Sequence, residues 1–144
     1  MEVGIMGLAA SGKSTLFGLL TGQEPKAPAA RHGSVHIGVA RVPDARLDAL
    51  SAMYEPEKTT PASVRYVDVP GIPEEHRQEA AFNLPELRSV DALMVVLRAF
   101  ENDAVAHPMG SIDPLRDLKH IEEEFILQDL MVVERRLDRL RKDL

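Results

Sequence analysis

The chain has 144 residues, 44% hydrophobic and 28% charged, with a formal net charge of -6. That is the profile of one compact globular domain, and the acidic balance argues against broad nucleic-acid binding through a basic surface. Cysteine is absent, which excludes a disulfide framework and any Cys-based metal site. Val3 to Met6 is a short apolar run ending at Gly7 and predicts a buried strand. Lys13 to Leu20 predicts a helix, stopped at Thr21-Gly22. Residues 23–34 are rich in Pro, Ala and charge without periodicity and predict a loop. Val35 to Val42 predicts a second strand, and Asp44 caps a helix carrying Leu47 and Leu50. Ser63 to Val69 predicts a third strand, 71–78 a polar connection, 79–89 a short helix, and Ala92 to Leu97 a fourth buried strand. Strands alternating with helices imply an α/β fold on a mostly parallel sheet with helices on its faces.

The last element differs. Asp113 is a helix cap with Pro114 at the first helical position, and no Gly or Pro follows. Ile126, Leu130, Val133, Leu137, Leu140 and Leu144 recur at the spacing of a heptad seam, which asks for a partner helix. An amphipathic helix lying on the sheet is the alternative. The expected division is a partial core over 1–112 and a long helix over 113–144, with self-association through that helix. No basic leader or long apolar run is present, so a cytoplasmic protein with no membrane segment is expected.

Gly7-Leu-Ala-Ala-Ser-Gly12-Lys13-Ser14 fits the pattern GxxxxGK[ST]. A triphosphate is polyanionic and must be met by many N–H donors without bulky side chains. Glycines let the backbone wrap the phosphate, and the helix that follows aims its positive end at it. The expected phosphate contacts come from Gly7, Ala9, Ala10, Ser11, Gly12, Lys13, Ser14 and Thr15. Lys13 reaches the β- and γ-phosphates, and Ser14 offers a hydroxyl to Mg²⁺. Downstream, Asp68-Val-Pro-Gly71 matches DxxG at the end of the third strand. Asp68 is expected to hold Mg²⁺ through water, and the Gly71 N–H to sense the γ-phosphate. The pair of motifs favours a switch-type NTPase binding GTP or ATP over a small-metabolite kinase, for which no Arg-rich lid is evident.

Several segments carry a family resemblance: Gly4-Ile-Met-Gly-Leu8, Gly12-Lys-Ser-Thr-Leu-Phe17, Val42-Pro-Asp-Ala-Arg-Leu-Asp-Ala-Leu50 and Tyr66-Val-Asp-Val-Pro-Gly71. Arg98-Ala-Phe-Glu-Asn-Asp103, Gly110-Ser-Ile-Asp-Pro114 and Val133-Glu-Arg-Arg-Leu-Asp-Arg-Leu140 extend it. Over nearly the whole chain the sequence resembles the amino-terminal part of the Obg-like, YchF-type P-loop NTPases. The resemblance implies a G domain with a coiled-coil hairpin inserted late in it. It also implies slow ATP or GTP hydrolysis tied to ribosomes or stress. The chain departs from the pattern in carrying no base-recognition motif after a late strand, and Leu144 falls where such a hairpin would be half built. His32 stands where the family has a switch I Thr, and Ser34-Val35-His36 replace a Glu-Pro-Asn run. Ile72 stands where many switch GTPases place a water-orienting Gln, a replacement the family shares. His107 falls where the resembling pattern also has His and is the candidate water-positioning residue; a loop His without such a role is the alternative. Arg31 is a candidate cis arginine finger or a solvated loop residue. His76, His120 and Glu122 to Glu124 are expected to be solvated. The competing reading of the whole chain is a non-hydrolysing nucleotide sensor or interaction module.

Overall fold

In the computed structural model, residues 1–23, 35–69, 87 and 89–143 are described. The expected loop at 23–34 apart from Gln23, Gly71 and Ile72 with the segment after them, the helix near 79–89 apart from Leu87 and Ser89, and Leu144 lie outside them. The elements are β1 (Glu2–Met6), α1 (Lys13–Thr21), β2 (His36–Arg41), α2 (Ala45–Tyr54), β3 (Ser63–Asp68), β4 (Ala92–Val95) and α3 (Pro114–Lys142).

The strands form one sheet in the order β2-β3-β1-β4. β1 pairs in parallel with β3 and with β4, which brings the carboxyl ends of all three to one edge. Ligands in open α/β sheets bind at such an edge. The fourth pairing departs from a wholly parallel sheet, because β2 runs antiparallel to β3, with Ile37 opposite Val67 and Arg41 opposite Ser63. The helix between them explains the direction. A crossover that returns a strand in parallel must lay its helix on the sheet. α2 buries none of its residues. It is an excursion at the end of a hairpin, so the chain comes back alongside itself.

α1 packs on one face at Gly38, where an added Cβ would stand 2.9 Å from Phe17 Cζ. On the other face, Met6, Leu8, Val67, Val69, Leu87 and Ile121 form one aliphatic cluster, with Val95, Met109 and Phe125 against it. Fully burying aliphatic side chains of this size contributes about 1.5–3 kcal/mol each. Ile121 therefore ties the first half of α3 to the same core as the strands.

α3 starts at Asp113, whose carboxylate accepts from the Arg116 backbone N–H, with Pro114 in the first turn. Asp117 and Ile121 face inward, both 1% exposed. Ile126 and Leu130 each follow one of these by about two and a half turns at 3.6 residues per turn, so they lie on the opposite side of the helix. The seam from Ile126 to Leu140 is accordingly 44–67% exposed. This helix does not lay its seam on the sheet. No partner helix covers the seam among the described residues.

Candidate phosphate-binding site

β1 ends at Met6 and the chain turns through 7–12 into α1. Gly7 has φ +151, and a Cβ there would fall on the Val96 carbonyl. Only glycine lets the turn pass this close to the end of β4. Gly12 is the N-cap of α1 at φ +98, in the left-handed region. Ala10 is also left-handed, at φ 58, which costs a residue with a Cβ of order 1 kcal/mol.

The start of α1 has no side-chain cap. Asp44 and Asp113 cap α2 and α3 by accepting backbone N–H groups. The first N–H groups of α1 are thus left to an outside acceptor, at the positive end of the helix. Ser14 and Thr15 are exposed at this end, whereas Ser11 is buried with no hydrogen-bond partner for its Oγ.

Lys13 is 5% exposed, and its ammonium donates to the Leu8 carbonyl at 2.7 Å, across the mouth of the turn. Burial pulls its pKa from 10.5 down to about 8, with Asp68 opposing the shift. Asp68, at the end of β3, is 3% exposed. The Ser14 hydroxyl donates to its Oδ2 at 2.9 Å. Its Oδ1 is buried without a partner. Burial pushes the Asp68 pKa up, against the Ser14 hydrogen bond and the nearby Lys13 and His36. A buried carboxylate oxygen with no donor, on a group whose other oxygen meets a hydroxyl, suits a hard cation. Ser14 and Asp68 fit the oxygen chemistry of Mg²⁺. No group of three or more His, Cys, Asp or Glu able to hold a metal occurs among the described residues, so a cation here also needs oxygen atoms from a ligand.

His107 is placed away from any open ring nitrogen. Its Nε2 lies 3.0 Å from Asp117 Oδ2, with both side chains nearly fully buried. Its Nδ1 accepts from the Met109 backbone N–H at 3.1 Å. Both ring nitrogens are therefore occupied by partners within the protein. Arg116 completes the cluster, its Nε and Nη2 donating to Asp117 Oδ1 at 3.1 and 2.8 Å. His107 thus fastens the loop after β4 to the first turns of α3. Gly71, Ile72, Arg31, His32 and His76 lie outside the described residues.

Three residues were missed by sequence reasoning. His36 brings Nδ1 to 3.9 Å from Asp68 Oδ2, within ion-pair range. The register that puts His36 opposite Asp68 depends on the antiparallel direction of β2, which strand patterning does not encode. Asp117, on the long helix, carried no signal pointing to His107. Arg98 was quoted only as part of a motif, although an Arg directly after a buried apolar run is a signal worth following.

A model of the 50S ribosome-binding GTPase family matches residues 2–135. The chain belongs to that family. Within it, the chain is 36% identical over 149 residues to the ribosome-binding ATPase YchF of Bacillus subtilis, covering 99% of this chain and 40% of the relative. It is 40% identical over 146 residues to the ribosome-binding ATPase YchF of Haemophilus influenzae, covering 98% of this chain and 40% of the relative. The structure of the Schizosaccharomyces pombe YchF GTPase matches 99% of this chain and 39% of its own, with 30% identity and a TM-score of 0.68. The resemblance to YchF-type NTPases read from the motifs therefore holds across the family member's described fold. This chain spans about two fifths of the length of these relatives. The relatives are described as ATPases and the S. pombe structure as a GTPase, so the base is not assigned by likeness. No helix among the described residues is long and apolar enough to cross a membrane.

Proposed function

We propose that this chain binds the triphosphate of GTP or ATP together with Mg²⁺, as the nucleotide-binding part of a slow NTPase that acts with the ribosome in the cytoplasm. The observation that carries the reading is the grouping of three features where β1 and β3 end beside the start of α1. These are an uncapped helix start, an ammonium resting on a carbonyl, and a buried carboxylate oxygen with no donor. A triphosphate with a divalent cation answers all three. The turn from Gly7 to Gly12 wraps the phosphates, with Ala9, Ala10 and Ser11 contributing backbone N–H groups and Thr15 following in the first turn of the helix. Lys13 exchanges the Leu8 carbonyl for phosphate oxygens. Ser14 and Asp68 would hold the cation, Asp68 through water, and the Gly71 N–H would sense the γ-phosphate. Bound there, Mg²⁺ would neutralise phosphate charge.

Calorimetric titration of Mg-GTP and Mg-ATP into the wild-type chain and Lys13→Ala tests the reading. Affinity should collapse in the variant, and equal affinity for both proteins defeats the proposal. Ribosome association rests on the family description and on the relatives' names. Co-sedimentation with 50S subunits, with and without nucleotide, tests it in the full-length protein.

A second reading has specific support. Both ring nitrogens of His107 are occupied, and Ile72 has no group to orient water. A non-hydrolysing sensor would bind nucleotide in this state and release no phosphate. For hydrolysis, His107 must leave Asp117 or another residue must orient the water. Phosphate release above background from the full-length protein, lost in His107→Ala with nucleotide affinity retained, favours the hydrolase. Turnover unchanged in His107→Ala removes that residue from the mechanism.

A further inference from the structure

The antiparallel direction of β2 has a consequence at the edge where β1 and β3 end. It sets the first residue of β2, His36, opposite Asp68, the last residue of β3. Side chains alternate along a strand. His36 therefore shares its face with Gly38, which meets Phe17 and Thr21 of α1. Val35, one residue earlier, packs against the aliphatic cluster, and so anchors the backbone that carries the imidazole.

The His36 side chain is 35% exposed, and its Nδ1 lies 3.9 Å from Asp68 Oδ2. That is beyond hydrogen-bond length. The same Oδ2 accepts from the Ser14 hydroxyl at 2.9 Å, and Oδ1 is buried without a partner. An imidazole nitrogen from β2, a carboxylate from β3 and a hydroxyl from α1 are thus grouped around one unsatisfied oxygen. Asp68 already has the Lys13 ammonium as a nearby positive charge. A second ion-pair partner is not what it lacks.

This donor set differs from the one Mg²⁺ selects. Mg²⁺ takes oxygen ligands and gives up its waters reluctantly. A neutral imidazole suits first-row transition ions, and their affinity for such a nitrogen rises from Mn²⁺ through Co²⁺. One His and one Asp are too few to cage an ion unaided. Phosphate oxygens of a bound nucleotide would complete the set.

We propose that His36 Nδ1 is a ligand of the nucleotide-linked cation, and that it gives the site a preference for a first-row transition ion over Mg²⁺. The inference rests on the phosphate-binding reading above and adds to it the class of cation. It gives a role to one of the residues by which this chain departs from the resembling pattern, which has Asn at this position.

The test is titration of Co²⁺ and, separately, of Mg²⁺ into the full-length protein carrying the β,γ-imido analogue of GTP or of ATP. Wild type, His36→Asn and His36→Ala are compared. The readout is the ratio of Co²⁺ to Mg²⁺ affinity, since comparing proteins cancels the preference of the phosphates themselves. The ratio should fall by about tenfold in both variants. The visible absorption band of bound Co²⁺ should lie at shorter wavelength in wild type than in His36→Asn, because nitrogen is a stronger-field donor than oxygen. A ratio within about twofold of wild type in both variants overturns the inference, as does an identical Co²⁺ band in wild type and His36→Asn. Either result leaves His36 as an ion-pair partner of Asp68 only. Should neither variant fold, the wild-type band decides, read against Co²⁺ on inorganic triphosphate, an all-oxygen reference. A wild-type protein that binds neither analogue with either cation instead overturns the phosphate-binding reading, and this inference with it.

Discussion

Replacing Lys13 with methionine removes a buried charge and keeps an aliphatic stem of similar length. Burial holds the Lys13 pKa at about 8 instead of 10.5. That difference corresponds to about 3 kcal/mol of charge burial carried by the nucleotide-free protein at neutral pH. The sign follows from proton counting. Between about pH 8 and 10.5 the unfolded chain binds a proton that the folded chain does not, so this group's penalty fades and stability rises with pH across that window. Below about 8 both states are protonated and the full penalty stands. Methionine relieves the penalty but leaves the Leu8 carbonyl without its donor, a loss of about 1–3 kcal/mol. The two nearly cancel, so the nucleotide-free variant should unfold within about 1–2 kcal/mol of wild type. Binding should behave differently. Phosphate oxygens replacing the carbonyl return Lys13 to its ordinary range, so binding takes up about half a proton at pH 8 and nearly a whole one at pH 9. The phosphates themselves are fully ionised there. Titrations in two buffers of different ionisation enthalpy read this uptake directly. Wild-type affinity should therefore fall as pH rises above about 8, and Lys13→Met should lose at least about a hundredfold in affinity at pH 7. Buffer-independent heats at pH 8–9, or the same uptake in Lys13→Met, refute the reasoning.

Asp68→Asn should leave the nucleotide-free protein at least as stable at pH 7, because a buried carboxyl with a raised pKa loses stability as pH climbs past the ordinary carboxylate range. It should also cut the gain in nucleotide affinity given by Mg²⁺ by about tenfold or more, read as titrations with Mg²⁺ and with chelator. Asp117→Ala strips the carboxylate from buried His107 and from Arg116 and should cost about 3–5 kcal/mol in urea unfolding. Gly7→Ala places a methyl against the Val96 carbonyl, a backbone atom that cannot step aside, and should cost about 2–3 kcal/mol together with nucleotide binding. Self-association through α3 should be weak and strengthen with salt, because a parallel pair sets Asp129 of one copy against Glu134 of the other and Arg136 against Arg141. Sedimentation at rising concentration and ionic strength checks this, with Leu130→Lys/Leu137→Lys as the monomeric control.

What the sequence made legible was what neighbouring residues decide. The apolar run before Gly7, the spacing of Gly12, Lys13 and Ser14, and the caps at Asp44 and Asp113 each act within a few residues of chain, and each appears where expected. Asp68 was reached through the DxxG match at the end of the third strand, and β3 delivers it to the Ser14 hydroxyl. The direction of β2 was beyond reach because alternation is the same read forwards or backwards. Direction was set by α2, which buries nothing and so cannot serve as a crossover. A helical moment read for strength, and not only for presence, would have carried that hint.

The residues that hold the loop after β4 form a different class. Arg98, His107 and Asp117 are polar, buried, and bonded to partners in separate turns or elements. A single sequence gives each of them the profile of a solvated surface residue, since charged side chains are mostly exposed. Their burial is decided by the core, not by their neighbours in sequence. Ile121 draws α3 onto the sheet, Asp117 is carried in one turn before it, and His107 and Arg116 follow to satisfy that carboxylate. The order of causes runs from aliphatic packing to polar pairing. An Ile121→Ala substitution should therefore loosen the His107–Asp117 contact along with the core, costing about 2–5 kcal/mol, with faster amide exchange at Met109. Unchanged exchange at Met109 in a folded Ile121→Ala protein would mean that the loop holds itself, and that Arg98 alone sets its shape.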